Sequence, residues 1–153
     1  MPRATVPVLG AVLLVGVTVL LAVALTVAAT GFAPTAPAEP VVLEATADAV
    51  TGRVTLEHVS GPAIDVRRVE LTVAVDGEPL ARQPPVPFFA AAGFHGGPTG
   101  PFNQATDPAW TAGEVASFRV ASTNDPPLAP GAELSVTLTR GDRLVARATA
   151  TVR

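Results

Sequence analysis

The chain has 153 residues, with ten arginines, no lysine and thirteen carboxylates, for a net charge of −3. That balance provides no basic stripe for nucleic acid, and the absence of cysteine excludes both disulfides and thiolate metal sites. Once the uncharged N-terminal stretch is set aside, the remainder is enough for one small domain with its own core and too short for two.

Residues Thr5 to Ala38 carry no charged side chain, and fourteen Val or Leu residues lie between Val6 and Val27. This exceeds the roughly 20 apolar residues a helix needs to cross a bilayer. At about 0.3 to 0.6 kcal/mol each near a helix centre, those residues outweigh Pro7, Gly10, Gly16, Thr18 and Thr26, so insertion is favourable. Gly31 and Pro34 end the pattern, which predicts a membrane helix over 5–31, about 37 Å long from Val6 onward. Ala36-Pro37-Ala38 has the form of a signal-peptidase site, but the apolar core is about twice as long as a secretory signal's roughly 7 to 15 residues. Arg3 before the helix and Glu39, Glu44 and Asp48 after it place the N-terminus in the cytoplasm and the rest outside.

Arg3-Ala4-Thr5-Val6-Pro7-Val8-Leu9-Gly10, running into Ala11-Val12-Leu13-Leu14-Val15, resembles the N-terminus of archaeal type IV pilins, especially those of halophilic archaea. In that family a basic and a small residue precede the prepilin peptidase cut, and a Pro-Val-Ile-Gly-like run opens the mature helix. The resemblance maps Arg3 and Ala4 onto the first two positions and Pro7-Val8-Leu9-Gly10 onto the run. It implies a short leader, 1–4, and cleavage between Ala4 and Thr5. Leu56-Glu57-His58-Val59-Ser60-Gly61-Pro62-Ala63-Ile64-Asp65, the stretch Val69 to Leu80, Trp110-Thr111-Ala112-Gly113 and Leu128-Ala129-Pro130-Gly131 are similar to runs in the exported domain of such pilins.

In the linker over 32–40, prolines at 34, 37 and 40 recur every third residue, which suits an extended polyproline II spacer. Beyond it the hydrophobic period changes from helical to alternating. Val41 to Ala47, Arg53 to Val59 and Val69 to Val75 read as strands, with Val54, Leu56, Leu71, Val73 and Val75 inward and Glu57 and Glu70 outward. Val115 to Ala121, Ala132 to Thr139 and Leu144 to Val152 follow, the last with Leu134, Val136 and Leu138 marking the inward face of its partner. Asp48 to Gly52, Asp76-Gly77 and Arg140-Gly141-Asp142 are the turns between them. Six to eight such strands over 41–153 predict an all-β, immunoglobulin-like antiparallel sandwich.

The stretch Gln83 to Pro108 has prolines at 84, 85, 87, 98, 101 and 108 and glycines at 93, 96, 97 and 100. No regular element is expected there, only a long loop, 83–108, holding Phe88, Phe89, Phe94 and Phe102. A loop longer than about 12 to 15 residues is usually functional or disordered, and aromatics argue against disorder. Two arrangements fit it: an outward recognition surface, or phenylalanines folded back over an open end of the sandwich.

Catalytic chemistry has few candidates. His58, beside Glu57 at a strand end, reads as a hydrogen-bonding residue, and His95, among glycines, as solvent-exposed. Asp76, Glu78 and Asp142 lie at turns without calcium-site spacing, and Gly93, Gly96 and Gly97 lack the Lys and following helix of a phosphate loop. No catalytic, cofactor-binding or metal-binding residue is therefore expected, and the chain is not read as an enzyme. The resemblance implies a structural subunit of a type IV pilus-like surface filament, with the membrane, other pilin subunits and a prepilin peptidase as partners and Arg3, Ala4, Thr5, Pro7 and Gly10 as the processing residues. The alternative is a single-pass, membrane-anchored β-sandwich binding module that does not polymerise.

Overall fold

The apolar N-terminal run forms one helix and the alternating remainder forms two sheets, in a computed structural model that describes residues 5–31 and 39–153. The chain divides into two compact units between Ala38 and Glu39. Arg3, Ala4 and residues 32–38, which hold most of the expected spacer, lie outside the described residues.

Helix α1 (Thr5–Gly31) is 27 residues long, or about 40 Å. Pro7 falls in its first turn, where backbone N–H groups have no intrahelical partner and a proline costs little. Residues Val8–Thr26 are long and apolar enough to cross a membrane, and the large side chains from Val8 to Leu25 are exposed on every side of the helix. A helix apolar all round suits lipid rather than water. Its hydroxyls suit lipid too: Thr18 donates to the carbonyls of Leu14 and Val15 at 3.0 and 2.9 Å, and Thr26 to that of Ala22 at 2.7 Å.

The second unit is an immunoglobulin-like antiparallel sandwich. Its first sheet is built from β1 (Val42–Asp48), β2 (Arg53–Ser60), β8 (Val115–Val120) and β6 (Phe94–Thr99), in that order. The second runs β10 (Arg143–Thr151), β9 (Glu133–Arg140), β4 (Glu70–Val75) and β5 (Glu78–Pro79). A two-residue pair, β3 (Ile64–Asp65) with β7 (Ala109–Trp110), stands apart from both. The six longer strands expected from alternation are all present, each within one residue of its expected ends. Val54, Leu56 and Phe118 face Val73, Leu134, Val136 and Leu138 across a core in which all seven are essentially fully buried.

The sheets meet along one side. Ala47 and Val152 form a parallel bridge, Arg153 donates its N–H to Ala47 at 3.0 Å, and Ala49 donates to Arg153 at 2.8 Å. The turns follow their residues: Gly52 takes φ +66° between β1 and β2, and Asp76-Gly77 takes φ +50° and +82° between β4 and β5, as a two-residue hairpin with positive φ at both positions requires.

One expectation is corrected. The 83–108 stretch is not devoid of regular structure, because β6 pairs with β8 through Phe94↔Val120, His95↔Arg119 and Thr99↔Ser117. The register shifts between His95 and Thr99, so Gly96, Gly97 and Pro98 occupy an irregularity on an edge strand. An edge tolerates proline and glycine because one side of the strand needs no ladder partner. A short 3-10 turn at Gly100–Phe102 follows.

Candidate functional site

Three regions could carry function: the N-terminal helix, the 83–108 segment and the outer face of the first sheet. In the first, Thr5, Pro7 and Gly10 all fall within α1. No atom lies within 4 Å of a Cβ built at Gly10 or Gly16, so both leave open notches on the helix surface. Arg3 and Ala4, the other processing residues, are outside the described residues.

In the second region, Phe88, Phe94 and Phe102 point inward and are buried, whereas Phe89 is 66% exposed. Phe94 packs edge-on against Phe118 at 5.7 Å and tilted against Phe88 at 5.8 Å, and Phe102 packs edge-on against Trp110 at 5.2 Å. The backbone is tied down as well. Phe88 donates to Phe102 O at 2.9 Å, Gln104 to Phe88 O at 3.2 Å and Gly97 to Phe89 O at 2.9 Å. Of the two arrangements expected for this stretch, the phenylalanines folded back over the core describe three residues, and an outward position describes Phe89 alone.

The histidines divide in the way their neighbours suggest. His58 is fully buried, with Nδ1 3.1 Å from the carbonyl oxygen of Trp110 and Nε2 3.1 Å from that of Ser60. Its ring meets Trp110 edge-on at 5.7 Å. It joins β2 to the Trp110 turn as a hydrogen-bonding residue. That turn is closed by Glu114, whose Oε2 accepts from Thr111 N at 2.7 Å and Thr111 Oγ1 at 2.8 Å, while its carbonyl accepts the Trp110 indole N–H at 2.9 Å. The Thr111 N–H, then its hydroxyl, hold the Glu114 carboxyl below the usual range.

The third region was not legible in the sequence. Asp48, Arg53, Arg119 and His95 are successive cross-strand partners on β1, β2, β8 and β6, and all four are exposed. The next row across the same strands is Thr46, Thr55, Ser117 and Thr99, of which Ser117 is buried. Arg53 Nη1 lies 3.3 Å from Ser117 Oγ, which is 2.8 Å from Thr99 Oγ1. Glu44 and Glu57 pair at the far end of the face. His95 also lines a crevice of ≈ 220 Å³ with Thr51, Gly52, Val120, Ser122 and Leu128. The charges lie far apart in the sequence, and only the register of β2 on β8 brings Arg53 beside Arg119.

No protein-family model matches this chain, and no curated protein matches it in sequence.

Proposed function

We propose that this chain is a structural subunit of a type IV pilus-like surface filament, with α1 packing in the filament core and the β-sandwich displayed outside the cell. The observation that carries the reading is a 27-residue helix that contains Thr5, Pro7 and Gly10 of the implied processing motif and exposes large apolar side chains on every side from Val8 to Leu25. Such a helix is at home in a bilayer before assembly and among identical helices after it. Gly10 and Gly16 leave room for close approach between neighbouring helices. The resemblance to archaeal pilins supplies the processing step, and the role is structural rather than catalytic.

The reading is tested by processing in cells with an active prepilin peptidase. Mass spectrometry of the membrane and sheared-surface fractions is expected to find a mature chain starting at Thr5, with filaments that an antibody to the β domain decorates. Arg3→Asp and Ala4→Leu are expected to leave the precursor uncut while the domain still folds. An intact bond between Ala4 and Thr5 in the wild type, with the protein confined to the membrane, overturns the reading in favour of a membrane-anchored module that does not polymerise.

A further inference from the structure

We infer that the outer face of the β1-β2-β8-β6 sheet binds an acidic polysaccharide, with Arg53 and Arg119 holding a carboxylate or sulfate group and His95 and the hydroxyl row contacting the sugar. The inference goes beyond filament assembly and does not depend on it, since every contact lies within the β domain.

Arg53 and Arg119 stand directly opposite each other in the β2–β8 ladder, where like charges are unfavourable. Neither closes an ion pair, the salt bridge among the described residues being Arg67 to Asp65, although Asp48 stands opposite Arg53 and attracts it. Asp48, at the end of the row, directs Oδ1 to the N–H and hydroxyl of Thr51 at 2.7 and 2.8 Å. A shared anion relieves the repulsion, and two guanidinium forks suit the planar oxygens of a carboxylate or the tetrahedral oxygens of a sulfate. The Ser117 hydroxyl steadies the Arg53 fork from beneath.

The shape of the face selects a polymer. It is an open sheet surface bordered by a shallow crevice, without the enclosure that retains a single small ion. A chain bearing a charge on each repeating unit rebinds locally and gains avidity that a free ion lacks. Hydroxyls of Thr46, Thr55 and Thr99 run parallel to the arginine row and match sugar hydroxyls, while Ser117, buried among them, is bonded to Arg53 and Thr99. Glu44 and Glu57 repel an anion at the other end and Asp48 repels it at the β1 end, so the polymer meets the sheet over β2, β8 and β6, at Arg53, Arg119 and His95.

The experiment uses the full chain in neutral-detergent micelles, titrated calorimetrically at low salt with oligogalacturonate, with neutral maltohexaose and with anionic phosphatidylglycerol vesicles. Arg53→Gln with Arg119→Gln is compared with Arg143→Gln plus Arg147→Gln, which removes the same charge from the other sheet. The wild type is expected to bind oligogalacturonate but not maltohexaose, more weakly as salt rises. The first pair is expected to weaken binding about tenfold or more and the second to leave it within about twofold. No binding by the wild type, equal loss in both pairs, or binding to the vesicles alone each overturns the inference.

Discussion

The side-chain amide of Gln83 stands in for a strand against Val73: its Oε1 accepts the Val73 N–H at 2.7 Å and its Nε2 donates to the Val73 carbonyl at 3.0 Å. β5 pairs with β4 only at Ala74 and Val75, so Gln83 extends the ladder by one rung. It also donates to Leu80 O at 2.9 Å, anchoring the chain as it leaves the sheet. Gln83→Ala leaves the Val73 N–H unmatched, while the Val73 carbonyl keeps the Leu80 N–H at 2.9 Å, and is expected to cost about 1 to 3 kcal/mol in denaturant unfolding. Gln83→Glu can accept from Val73 N–H but cannot donate to its carbonyl, so it should not restore stability. A Gln83→Glu variant as stable as wild type would remove this role.

The phenylalanines of the 83–108 segment should separate by burial. Phe102 is fully buried between Trp110 and Phe118, so Phe102→Ala is expected to cost about 3 to 5 kcal/mol. Phe89→Ala, at an exposed position, should change stability by no more than about 0.5 kcal/mol. Thermal unfolding of both variants decides the matter, and similar losses for the two would contradict the packing described.

Gly52→Ala is expected to destabilise by more than an exposed turn substitution does. Its φ of +66° is unfavourable for a side chain, and the new Cβ would collide with the Val120 carbonyl oxygen. Gly77→Ala has a comparable φ of +82° but open space, so the difference between the two variants isolates the collision. Equal unfolding midpoints would show that the β1–β2 turn yields without cost.

Acid should weaken the domain through particular carboxylates. Asp48, held by the N–H and hydroxyl of Thr51, Asp65, held by the Arg67 guanidinium, and Glu114, held by Thr111, all ionise below their ordinary values. A depressed folded value means stability that is present above the unfolded value of about 4 and lost as pH falls through the folded one. The unfolding midpoint should therefore hold between about pH 7 and 5 and decline below about pH 4. The gap between wild type and Glu114→Gln should narrow over the same window, and a gap independent of pH would contradict the assignment of Glu114.

Period and turn chemistry made most of this architecture readable. Leu134, Val136 and Leu138 alternate with Ser135 and Thr137, and that pattern alone places β9 with the correct face inward. β6 was hidden because Gly96, Gly97 and Pro98 erase the alternation at the irregularity itself. Gln83 and Asn124 were hidden for a different reason. Asn124 accepts from Arg82 N at 3.0 Å and donates to Arg82 O at 2.9 Å, so a side chain far along the sequence does the work of a strand. The Arg53–Arg119–His95 row depends on strand register, which local composition does not encode.

The closure between β1 and the C-terminus bears on how the domain carries load. A pull transmitted through residue 39 arrives at the Val42 end of β1, whereas the arginine row lies at the Asp48 end, together with the bonds from Ala47 and Ala49 to Arg153. A ligand resisting at that row therefore draws β1 lengthwise against β2 rather than peeling it away. Seven register pairs from Val42 to Asp48 share the strain together, and Arg153 acts as a latch at the end where β1 would otherwise slip free.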